Sequence, residues 1–97
     1  MLEISHLSLQ KPPEILFHAV PVDSSDQAFW NGLKRKKTPL IRLYKTEEEA
    51  RRTIRKQQPF TFAIMAELMA EDGFHFFLSD EGEWYTDEVP SKYLRLC

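Results

Sequence analysis

The chain has 97 residues, 42% of them hydrophobic, with 2 Trp, 3 Tyr, 7 Phe and a formal net charge of −2. That is material for one domain, with a core burying about 60–65% of the surface its unfolded form exposes, and it leaves no room for a second folding unit. The opening residues Met1 to His6 carry neither a basic stretch nor an apolar run, and no segment reaches membrane-spanning length, so neither a signal peptide nor a bilayer span is expected. The only cysteine is Cys97, which excludes an internal disulfide and fits a reduced, cytoplasmic setting.

Charge is segregated along the chain. Residues 34–56 hold ten of the 13 basic side chains against three glutamates, a local charge of +7. Residues 67–88 hold eight acids and no lysine or arginine, a local charge of −8. A basic segment of this density suits RNA or another polyanion, although two solvated faces that neutralise each other across the fold would leave the same pattern.

In chain order, residues 1–14 read as an extended lead-in ending at Lys11-Pro12-Pro13, and residues 15–94 as the folded core. Ile15-Leu16-Phe17-His18-Ala19-Val20 is a short apolar run between prolines, a buried strand. Ser24 with Gln27 has capping-box spacing and opens a helix through Trp30, which stops at Asn31-Gly32. A basic loop over residues 34–38 leads through Pro39 into a strand over residues 40–44. Thr46 with Glu49 is a second capping box, and Glu47–Arg51 and Glu48–Arg52 are i,i+4 pairs in the favourable order, with Ala50 and Ile54 on the inward stripe. This helix ends before Pro59. Residues 60–66 read as a strand buried on both faces. A turn at Asp72-Gly73, a strand over residues 74–78, a turn centred on Asp80-Glu81-Gly82, a short strand around Trp84 and an exit at Val89-Pro90 follow. Irregular alternation of helix and strand predicts an α+β fold.

Few residues announce chemistry on their own. His6, His18 and His75 are far apart with no cysteine nearby, which is no metal signature. Gly32, Gly73 and Gly82 stand singly among turns, so there is no phosphate-binding glycine loop. Trp30, Trp84 and Tyr85 are candidates for stacking on bases, or for the core.

The stretch from Met69 to Leu94, M-A-E-D-G-F-H-F-F-L-S-D-E-G-E-W-Y-T-D-E-V-P-S-K-Y-L, resembles the end of the RNA 2'-phosphotransferase family of the ADP-ribosyltransferase superfamily, where the pattern is M-x-x-D-G-x-x-F-Y-x-S-x-N-G-V-W-L-T-x-x-V-P-x-x-Y-L. Leu16-Phe17-His18 is similar to that family's opening L-Y/F-H-G-T. Gly32-Leu33 matches the G-L that closes its first helix, Ile41-Arg42-Leu43 falls at its V-H-L, and Thr46 to Ala50 matches S/T-x-x-x-A. The resemblance implies an ADP-ribosyltransferase-like fold, with two small β-sheets and two short helices around an NAD cleft. It also implies transfer of ADP-ribose from NAD, as cosubstrate, to an RNA 2'-phosphate. On this resemblance His18 holds the ribose of the nicotinamide half and Arg42 handles phosphate charge as its catalytic partner. Tyr44 or Phe76 flanks the nicotinamide, and Arg55 shares the phosphate charge with Arg42.

The chain departs from the family pattern at several of these positions. Ala19-Val20 stand for Gly-Thr, Arg42 for the second histidine, Thr38 for an arginine, Glu81 for the asparagine before Gly82, and Glu83 for an apolar residue. Arginine cannot take the donor–acceptor role of a neutral imidazole. Two function classes therefore stay open: an enzyme of this type, or a catalytically inactive relative that binds a nucleotide, RNA or a protein.

Overall fold

The structure, a computed structural model, describes residues 7–34 and 39–97; the first six positions of the expected lead-in and residues 35–38 of the expected basic loop lie outside them. Nine strands and three α-helices follow in order among the described residues: β1 (Leu7–Leu9), β2 (Leu16–Pro21), α1 (Ser25–Asn31), β3 (Leu33–Lys34), β4 (Ile41–Leu43), α2 (Glu47–Arg51), β5 (Pro59–Ile64), α3 (Ala66–Glu71), β6 (Phe76–Ser79), β7 (Trp84–Thr86), β8 (Glu88–Val89) and β9 (Leu94–Leu96). All pairing is antiparallel. The strands form a four-stranded sheet in the order β1-β6-β7-β4, a three-stranded sheet β2-β5-β9 and a two-stranded ribbon β3-β8.

The α+β class holds, while the count of two sheets and two helices is corrected to three sheets and three α-helices among the described residues. The apolar run at residues 60–66 is not one strand. β5 stops at Ile64, and Ala66 already belongs to α3, whose apolar Ala66 and Met69 are buried beside the strand that precedes them. The turn expected at Asp72-Gly73 is the end of that helix. Gly73 N–H donates to the Ala70 carbonyl and Phe74 N–H to the Met69 carbonyl, the paired bonds of a Schellman stop, and Gly73 supplies the required positive φ of 102°. Part of the lead-in is structural as well, since β1 pairs with β6 through Leu7↔Ser79 and Leu9↔Phe77.

The two capping boxes behave differently. At α2 the Thr46 hydroxyl accepts from Glu49 N–H and donates to the Glu49 carboxylate, both at 3.1 Å. At α1 the chain enters through a 3₁₀ turn over Val22–Ser24, and Ser24 makes no side-chain cap bond. Ser25 instead donates its hydroxyl to the Val22 carbonyl at 2.8 Å. α2 has only five residues, so its cap is a large share of what holds it. Thr46→Ala is expected to cost about 1 kcal/mol, read as a lower midpoint in urea unfolding with an unchanged slope.

The core lies where the inner faces of the two larger sheets meet α3. Leu43, Phe76 and Trp84 come from one sheet, Leu16, Phe62, Ile64 and Leu94 from the other, and Met69 from the helix. Each such side chain contributes roughly 1.5–3 kcal/mol by leaving water. Tyr93, 2% exposed, closes one side and donates its hydroxyl to Asp72 at 2.6 Å. None of the helices among the described residues is long and apolar enough to cross a membrane.

Candidate functional site

The site forms at the seam between the two larger sheets. Phe17 of β2 and Tyr44, just past β4, form an antiparallel bridge with both hydrogen bonds made, Phe17 N–H to the Tyr44 carbonyl at 2.7 Å and Tyr44 N–H to the Phe17 carbonyl at 2.9 Å. An antiparallel ladder would next join residues 19 and 42. Here the strands part, and the Arg42 carbonyl lies 2.9 Å from His18 Nδ1 instead. A carbonyl only accepts, so Nδ1 donates, and in the neutral ring Nε2 is then the acceptor nitrogen. The alternation of β2 turns the Ala19 N–H and C=O toward the same gap as those of Phe17.

Beyond the bridge the gap opens into a cleft of about 580 Å³. One wall is β2, from His18 to Pro21. A second is α1, through Ser24, Gln27, Ala28 and Asn31, and the rest is Gly32, Leu33 and Lys34 with Ile41 and Arg42 of β4. Gln27 and Asn31 are one helical turn apart and so share a face. The described lining carries Lys34, Arg42 and His18 and no carboxylate, although the chain as a whole is acidic. Such a wall favours an anion.

Gly32 fixes the corner where α1 passes into β3. Its φ is +79°, and a Cβ there would stand 2.4 Å from the Val89 carbonyl oxygen. Only glycine allows α1 to turn this close to β8.

Among the expected site residues, His18 and Arg42 come together at the cleft, while Tyr44, Arg55 and Phe76 lie outside its lining. Phe76 is 1% exposed within the core, so it offers no face to a nicotinamide ring. Arg55 is exposed beyond α2. Tyr44 is half-buried, with its ring 4.5 Å beneath the Arg42 guanidinium carbon. Arg42 itself is tied down, its Nη1 2.9 Å from Glu83 Oε2 and its Nε donating to the Leu43 carbonyl at 3.3 Å. Glu83 Oε1 also accepts from the Tyr85 hydroxyl at 2.9 Å. Elsewhere in the basic segment, Arg51 pairs with Glu47 at 3.1 Å and Arg52 with Glu48 at 2.6 Å, so the charge along α2 is balanced internally. Trp84 is 6% exposed in the core, whereas Trp30 is 74% exposed on α1.

Burial raises the hydroxyls of both Tyr44 and Tyr85 above the ordinary tyrosine value, and for Tyr85 the Glu83 hydrogen bond adds to it. The unfolded chain therefore ionises these groups first as the pH rises through about 10. Their contribution to stability is complete below that pH and is lost above it. The melting temperature is expected to fall more steeply between about pH 9 and about pH 11 for the wild type than for Tyr85→Phe, followed by circular dichroism.

Residues 2–88 match the sequence pattern described as RNA 2'-phosphotransferase, Tpt1 / KptA family. The chain belongs to this family. It is 35% identical over 91 residues to a probable RNA 2'-phosphotransferase of Trichormus variabilis, covering 93% of this chain and 50% of that protein. It is 32% identical over 90 residues to one of Flavobacterium johnsoniae, covering 92% of this chain and 50% of that protein. The chain thus spans about half the length of these RNA 2'-phosphotransferase relatives.

Sequence reasoning missed Gln27, Asn31 and the Arg42–Glu83 pair. The signal for the pair was present: two departures from the RNA 2'-phosphotransferase pattern bring in opposite charges, 41 positions apart. Only the β4–β7 register shows that they meet.

Proposed function

We propose that the cleft binds NAD and that the chain transfers ADP-ribose from NAD to an RNA 2'-phosphate. The observation that carries this reading is His18, held by the Arg42 carbonyl in the wall of a cleft with cationic side chains and no described carboxylate in its lining. The cleft volume falls within the usual range for small-molecule sites, about 300–1,000 Å³. His18 orients a ribose of the dinucleotide, and Lys34 faces its diphosphate. The Ala19 N–H and C=O match a primary carboxamide, which carries one acceptor and two donors.

The reaction has two steps. An oxygen of the 2'-phosphate attacks the anomeric carbon of NAD as the bond to nicotinamide breaks, and nicotinamide leaves with the bonding electrons. A neighbouring ribose hydroxyl then attacks phosphorus, displacing the RNA 2'-oxygen and leaving an ADP-ribose cyclic phosphate. The demand on the protein is positional and electrostatic: hold the dinucleotide, present the anomeric carbon and offset the incoming charge.

A binding module is the second reading, favoured by the engagement of Arg42 with Glu83. An RNA oligonucleotide with one internal 2'-phosphate, incubated with the chain and NAD, separates the two. Free nicotinamide together with dephosphorylated RNA supports transfer. NAD binding without nicotinamide release leaves the binding module, and absence of NAD binding overturns the cleft assignment.

A further inference from the structure

Beside the cleft, β4 sets Arg42 across from Tyr85, and the strand alternation puts Tyr44 and Glu83 on the same face. Both oxygens of Glu83 are engaged, one by Arg42 Nη1 at 2.9 Å and one by the Tyr85 hydroxyl at 2.9 Å. The guanidinium also rests on Tyr44. Arg42 lines the cleft, whereas Glu83, Tyr44 and Tyr85 do not. The arginine is therefore held from outside the space it borders.

The two paired side chains are 33% and 35% exposed. A pair this open to water, made through one nitrogen and one oxygen, is weak, and a phosphate can offer arginine a bidentate contact with more negative charge. Glu83 keeps the Tyr85 hydroxyl when it loses Arg42, so its carboxylate is not stranded without a donor.

We propose that Glu83 is a built-in competitor for Arg42: it holds the guanidinium in the ligand-free protein, and a phosphate group entering the cleft takes Arg42 from it. Glu83 then sets the affinity of the cleft for phosphate-bearing ligands and acts through Arg42. This inference rests on the cleft being a dinucleotide site.

The test is calorimetric titration of ADP-ribose into the wild type, Glu83→Gln, Arg42→Gln and the double variant. Glutamine keeps the shape and can still accept from Tyr85, so Glu83→Gln is expected to bind about fivefold more tightly, the upper end of what an exposed ion pair withholds. Arg42→Gln binds more weakly, and the double variant binds no better than Arg42→Gln. Glu83→Ser, too short to reach Arg42, gives the same gain. Adenosine, which has no phosphate, shows none. Equal or weaker binding by Glu83→Gln, a gain that survives in the double variant, or an equal gain with adenosine overturns the proposal while leaving the dinucleotide site standing. Failure of every variant to bind ADP-ribose removes both.

Discussion

On the proposed function, His18→Ala is expected to weaken NAD binding and to lower transfer by roughly 100-fold, the scale of misplacing a reacting centre by about 1 Å. The reason is geometric. His18 is the side chain that occupies the point where β2 and β4 stop pairing, and its bond to the Arg42 carbonyl fixes both its tautomer and its orientation. The fold should survive, because the loss amounts to one hydrogen bond from a half-buried side chain, about 1 kcal/mol. Calorimetric titration of NAD, with a thermal melt of the same sample, checks both halves. An alanine variant that melts as expected and binds NAD as well as the wild type would show that the ribose is held elsewhere.

Gly32→Ala is expected to be the most damaging of the three glycine-to-alanine changes, at about 3 kcal/mol, from positive-φ strain and a steric clash together. The added Cβ meets backbone rather than a side chain that could swing aside: Val89 O at 2.4 Å, Ser91 N at 3.0 Å and Pro90 Cα at 3.2 Å. Relief requires α1 to move away from β8 and the turn beyond it. A domain of this size loses about 4–8 °C of melting temperature per kcal/mol. Gly73→Ala is the internal comparison, since nothing lies within 4 Å of a Cβ there and only the φ strain remains. A melting temperature for Gly32→Ala no lower than that of Gly73→Ala would remove the close-approach argument.

Local chemistry was legible where short-range rules suffice. The Thr46–Glu49 box and the Glu47–Arg51 and Glu48–Arg52 pairs stand where spacing placed them, and the strand around His18 stands where its apolar run did, although only Leu16 and Ala19 of it are buried. The misses share one cause, that several elements here are too short to own a period. β3 and β8 have two residues each, and they form a ribbon only because the fold brings Leu33 opposite Val89. α3 has six residues, and its apolar positions merge with those of β5 in any window long enough to count. Ser24 has the sequence of a cap, but the preceding 3₁₀ turn gives its backbone other work. At the site, the residue that matched the family motif, His18, lies in the cleft. Phe76 was placed beside the nicotinamide on the family resemblance, and strand alternation alone could not tell a cleft side from a core side. Its flanking residue His75 is exposed and Phe76 is not.

The bridge at Phe17 and Tyr44 also decides how the cleft can accommodate its contents. One residue pair, with two hydrogen bonds, stitches the main sheets edge to edge, and among the described residues the other strand pairings stay within their own sheets. Leu43, Phe76 and Trp84 of one sheet share a single core with Leu16, Phe62, Ile64 and Leu94 of the other, so packing holds the angle between the sheets that the bridge alone would leave loose. The width of the gap beside the bridge is therefore set by the fold, and a ligand has to match it. Any change in that angle would displace His18, one residue from the bridge, least of all, which makes its place beside the Arg42 carbonyl the fixed end of the cleft.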